Sequence, residues 1–80
     1  MEKDIAIDVH FVEDETETVV RAVLNLRGEH FEAVGRARRN PTDNPMPVIG
    51  EELALARALQ TLTSTVMDAA HSKIETYLSE

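Results

Sequence analysis

GEELALARALQTLTSTVMDAAHSKIETYLSE, residues 50–80, is the stretch on which the fold turns. Apolar side chains recur there at Leu55, Leu59, Leu62, Val66, Ala70, Ile74 and Tyr77, three or four positions apart, the spacing of one helical face. The pattern predicts a helix over about residues 51–78, ~42 Å long at ~1.5 Å per residue. Gly50 is a tolerable N-cap, and Glu51 and Glu52 suit the positive end of the helix dipole.

Everything upstream alternates with a period of two. Over about residues 4–12, Ile5, Ile7, Val9 and Phe11 lie on one side, and Ala6, Asp8 and His10 on the other, as in a half-buried strand. The acidic run from Glu13 to Glu17 reads as a solvated hairpin loop, since it lacks the glycine and carboxylate spacing of a calcium site. A second strand, about 18–27, points Val20, Ala22, Leu24 and Leu26 inward. Gly28-Glu29 turns the chain into a third strand, about 30–38, with Phe31, Ala33, Gly35 and Ala37 on its inner side. That inner row is small, which lets a helix backbone come close to Gly35. Turn residues crowd the loop 39–50, where Asn40-Pro41 suits the start of a type I turn and Pro45 and Pro47 favour extended chain.

The order strand, strand, strand, helix predicts an α+β fold in one domain, residues 1–80. It is a three-stranded antiparallel meander with the long helix packed on one face. Strands of 8 or 9 residues span only about 30 Å, so the helix outruns them. Its apolar coat is also wider than the ~100° stripe one core needs, with Leu53, Met67, Ile74 and Leu78 on the flank of the main seam. The first half, to Val66, is therefore expected on the sheet. The second half, with Met67, Ala70, Ile74, Tyr77 and Leu78, is expected against another subunit, as a homodimer; the plainer reading is that the last turns fray.

Composition narrows the classes. Eighty residues make a marginal core, which favours a partner. The net charge of −7 argues against free-standing binding to nucleic acid or an anionic membrane. Cysteine is absent, so there is no disulfide, thiolate zinc site or cysteine nucleophile. No signal peptide or membrane span is visible, and a cytoplasmic location is the default expectation. His10, His30 and His71 fall on different elements without metal spacing, and no cofactor motif occurs. The one local charge anomaly is Gly35-Arg36-Ala37-Arg38-Arg39. Arg36 and Arg38 project from one strand face, and beside Asn40 they suit bidentate contact with a carboxylate or phosphate. The plainer reading is that they balance nearby carboxylates.

The runs Ala33-Val34-Gly35-Arg36-Ala37-Arg38-Arg39-Asn40-Pro41-Thr42-Asp43 and Val48-Ile49-Gly50-Glu51-Glu52-Leu53-Ala54-Leu55-Ala56-Arg57-Ala58-Leu59 carry a resemblance. The chain resembles domain-of-unknown-function family 1876, small and mainly actinobacterial proteins, over essentially its whole length. The resemblance implies a β-β-β-α fold similar in topology to the double-stranded-RNA-binding domain but without that domain's first helix. It implies no activity. The shared positions are Gly35, Arg36, Arg38, Asn40, Pro41, Asp43, Gly50, Glu52, Leu53, Ala56 and Leu59, with departures at the Gly28 turn and in the proline-rich linker. RNA binding does not follow from the topology. The minor-groove helix is missing, and Glu51 and Glu52 stand where lysines would meet phosphate.

Three expectations result. The first is a non-enzymatic interaction module, homodimeric through the overhanging helix or an exposed strand edge and open to a further protein partner, that displays a patch of Arg36, Arg38, Arg39, Asn40 and Asp43. The second is nucleic-acid binding through Arg36, Arg38 and Arg39. The third is an enzyme using Arg38, Asn40 and Asp43 on a small anion, which needs a pocket at those residues.

Overall fold

A computed structural model describes residues 1–40 and 46–79. Three strands, β1 (Ile7–Glu13), β2 (Glu17–Leu26) and β3 (Glu29–Arg38), precede one helix, α1 (Pro47–Ser79). They form an antiparallel sheet in the order β1-β2-β3, and α1 lies on one face, against β3 and to a lesser extent β2. This is the expected α+β meander.

Alternation sets the faces. Val20, Ala22 and Leu24 of β2 stand opposite Gly35, Ala33 and Phe31 of β3, and directly opposed residues share a face. The core is that row closed by Ala54, Ala58 and Leu62 of α1. Its floor of small residues lets the helix sit low. A Cβ on Gly35 would run into the backbone of Ala54 and Ala58, coming within 2.9 Å of the Ala58 Cα. Gly35 is therefore a packing glycine.

Three boundaries differ from the sequence expectation, each for a local reason. The β2–β3 turn is Arg27-Gly28 rather than Gly28-Glu29: Leu26 pairs with Glu29, and Arg27 and Gly28 take φ values of +52° and +80°. Two positive φ values are what a two-residue hairpin turn of matching twist demands. The helix begins at Pro47, not Glu51, because proline suits a first helical position whose N–H has no partner. The Met46 carbonyl accepts from the Ile49 and Gly50 amides. Gly50 is thus inside the helix, not its cap, and a Cβ there would approach the Thr18 hydroxyl at 3.2 Å. The residues preceding Ile7 lie outside β1.

The fourth difference concerns burial. Ile7, Val9 and Phe11 stand opposite Leu24, Ala22 and Val20, hence on the helix side of the sheet. They were expected half-buried and are exposed, at 44%, 38% and 39%. The single helix covers β3 and β2 and leaves the β1 floor bare. Along α1, partial burial likewise ends at Ala69, and residues 70–79 are all exposed.

Candidate functional site

The polar candidate grows out of the β1–β2 turn. The Asp14 carboxylate accepts from the Thr16 amide at 2.8 Å, the Thr16 hydroxyl at 2.9 Å and the Glu17 amide at 2.9 Å. This is the local bonding by which aspartate replaces a backbone turn. The Asp14 amide donates to the Glu17 carbonyl at 3.0 Å. The turn is then joined to the end of β3. The Arg39 amide donates to the Thr16 carbonyl at 2.8 Å, and its Nε donates to the Glu15 carbonyl at 3.1 Å. The sequence pattern Asp14-x-Thr16 carried this signal, which a reading of the run as mere solvated charge passes over.

The hydrogen bonds from the Thr16 and Glu17 amides, and then from the Thr16 hydroxyl, hold the Asp14 carboxyl below its ordinary pKa, against a small opposing effect of burial. A lowered carboxylate pKa stabilises the fold above the unfolded value and loses that contribution as pH falls through the folded value. Asp14→Asn is therefore expected to lower the urea midpoint at pH 7. The two chains should converge as pH falls through the lowered Asp14 value, where Asp14 too becomes neutral. A midpoint gap independent of pH would contradict this origin.

The arginines separate into two settings. Arg36 and Arg38 project from the outer sheet face, and both reach Glu17, at 3.7 Å and 3.9 Å. The register brings them there, with Glu17 opposite Arg38 and Val19 opposite Arg36. The Arg36 carbonyl accepts from Arg57 of α1 at 2.8 Å, a strut from helix to strand edge that the sequence did not signal. Arg38, Arg39 and Asn40 line a cleft of about 580 Å³ between the acidic turn and the start of α1, with Ile49 and Leu53 on the helix side. Glu13, Asp14, Glu15 and Glu17 line the same cleft. Carboxylates outnumber the cations there, so the field does not favour an anion. Asp43 lies outside the described residues. Among the described residues no three His, Cys, Asp or Glu side chains group as metal ligands.

The apolar candidate is larger. Met67 (51%), Ile74 (54%), Tyr77 (79%) and Leu78 (76%) are exposed, as is Ala70. Met67, Ala70, Ile74 and Tyr77 step by three and four residues and share one side of α1; Leu78 stands one position round. Ile49 and Leu53 at the other end of the helix are also exposed. With the β1 row, this leaves two uncovered rows of large apolar side chains on the molecule, the kind of surface that contiguous exposure makes a candidate for interaction. At the start of β3, Glu29 is met by Lys73 of α1 at 2.9 Å.

Comparison with known proteins gives one consistent result. Residues 3–80 match the profile of the Rv2632c-like family. The chain is 40% identical over 73 residues to the uncharacterised protein Rv2632c of Mycobacterium tuberculosis, covering 91% of this chain and 78% of that one. It is 40% identical over 72 residues to the uncharacterised protein Mb1767 of Mycobacterium bovis, covering 90% and 72%. The crystal structure of Rv2632c superposes with a TM-score of 0.93 at 36% identity, covering 100% of this chain and 95% of that one.

Proposed function

We propose that this chain, which belongs to the Rv2632c-like family, is a non-enzymatic interaction module that acts as a homo-oligomer and offers its remaining apolar surface to another protein. One observation carries the reading: the lone chain is too spread out for its mass. A compact monomer of 8.9 kDa exposes about 4,800 Å², whereas this chain exposes 6424 Å². Its radius of gyration is 16.4 Å, against about 12 Å for a compact chain of 80 residues. A standard interface takes about 800 Å² from each partner. The excess is enough for one such contact with area to spare.

The mycobacterial relatives support membership of the mainly actinobacterial family 1876, and the β-β-β-α order supports a likeness to the double-stranded-RNA-binding domain without its first helix. The bare β1 row lies on the floor that a second helix would cover. A cytoplasmic setting belongs to the same proposal, as does the lack of any catalytic step. Among the described residues no helix is long and apolar enough to cross a membrane. Nucleic-acid binding is the weaker alternative. Arg36 and Arg38 are held by Glu17, and the chain carries −7 overall.

Unfolding as a function of protein concentration tests the reading, because a fold completed by association gains stability by mass action. The thermal midpoint is expected to rise steadily as chain concentration goes from about 1 to 100 µM. A midpoint that does not move would reject the homo-oligomer. A low-salt titration in which labelled RNA is retained, with affinity falling steeply on adding salt, would instead favour the alternative.

A further inference from the structure

The side of α1 facing away from the sheet carries a second apolar seam. From Leu53, steps of three and four residues visit Ala56, Gln60, Thr63, Met67 and Ala70, all exposed. The same steps reach Ile49 in one direction, and Ile74 and Tyr77 in the other. Strict alternation of three and four is the spacing with which helices coil around one another, drifting ~20° per heptad on a straight helix. The residues that meet the sheet, Ala54, Ala58 and Leu62, lie on the opposite side. The seam is therefore not part of the chain's own core.

We infer that two copies of this chain pair antiparallel along this seam, back to back, giving the layer order sheet, helix, helix, sheet. The inference rests on the homo-oligomeric reading above and names its contact. The register follows from shape. Antiparallel coils set each residue of the first seam position against one of the second. One alignment places Leu53 against Ala70 of the second copy, Ala56 against Met67, and Ile49 against Ile74, each contact occurring twice by symmetry. Large side chains thus meet small ones on either side of the centre, and the two isoleucines meet toward the ends. At the centre Gln60 falls against Thr63, a polar pair able to hydrogen-bond and to fix the alignment.

The flanks agree with the same alignment without being used to choose it. Glu52 falls near Lys73 of the second copy, which already pairs with Glu29 of its own chain at 2.9 Å, so the rim charge is compatible with the alignment and does not select it. Leu59 falls opposite Val66, and both already pack on the edge of the core, so apolar contact continues from core to seam. A second copy is the occupant because the seam matches itself when reversed: the large-against-small pairs and the central Gln60–Thr63 pair all agree under one two-fold operation.

Natural absence of cysteine gives a clean test. In the double variant Ala56→Cys/Met67→Cys, the two positions are 11 residues, or about 16 Å, apart along one helix, too far for an internal disulfide. Between copies they face each other. Mild oxidation is expected to give a covalent dimer at least about tenfold faster than in Ala56→Cys/Asp68→Cys, where the second cysteine is turned off the seam. Both positions in the first pair are exposed, and circular dichroism checks that both variants keep the fold. Gel filtration of the unsubstituted chain runs alongside. If that chain elutes as a dimer but the two variants cross-link alike, the seam is not the contact, while the interaction-module reading stands. If it elutes as a monomer at tens of micromolar, both fall.

Discussion

Gly35→Ala is expected to cost about 3 kcal/mol or more of folding stability, the upper end for an added methyl in a close-packed site. The added Cβ meets the backbone of Ala54 and Ala58, not the end of a side chain that can swing away. Relief requires α1 to lift from β3, and lifting it opens the contacts of Ala33, Ala37, Ala54 and Ala58 together. An 80-residue domain holds only about 4–12 kcal/mol in all. Gly28→Ala is the control. It sits at φ +80° with nothing within 4 Å of the new atom, so its cost is the conformational ~1 kcal/mol. Urea titrations of the two variants give the comparison. A Gly35→Ala midpoint equal to that of Gly28→Ala would mean that the helix does not lie as close to β3 as described.

Met67→Glu is expected to weaken self-association at least 100-fold while leaving the fold of each copy intact. Met67 is half exposed in the lone chain, so a carboxylate there is hydrated and harmless to the monomer. In the paired seam it lies opposite Ala56 of the second copy, with no cation to meet it, and two-fold symmetry introduces it twice. An unpaired charge taken out of water costs several kcal/mol, and about 2.8 kcal/mol already corresponds to the stated factor. Light scattering reads the loss as a fall in mass, and circular dichroism checks that helix content is unchanged. Ser64→Glu, off the seam, is expected to leave the mass as it was. A Met67→Glu chain that associates as the parent does would remove this side of α1 from the interface.

The layer order was legible because two periodicities dominate the chain: two through residues 5–38 and three-to-four from residue 53 onward. Even the close approach at Gly35 follows from its neighbours Ala33 and Ala37. What the sequence did not reveal was coverage. The alternation of Ile7, Val9 and Phe11 states which face they share, and the register in the structure agrees. Alternation cannot say that the one helix sits over β3 and stops short of them. The helix start differs from the local signal for a related reason. Gly50-Glu51-Glu52 has the local chemistry of a helix start, but Pro47 starts the helix one turn earlier, and Gly50 answers to Thr18 instead. In the polar site, spacing placed Arg36 and Arg38 on one face correctly. Only the pairing of β2 with β3 reveals that Glu17 stands beside both.

Light scattering on the unsubstituted chain at tens of micromolar in physiological salt tests most directly whether the outward side of α1 is built for company. Association predicts a particle of twice the 8.9 kDa chain mass, or a higher even multiple if the β1 row also pairs. A uniform particle of 8.9 kDa that stays so on concentration would contradict it, and the exposed seam from Ile49 to Tyr77 would then have no second copy to cover it.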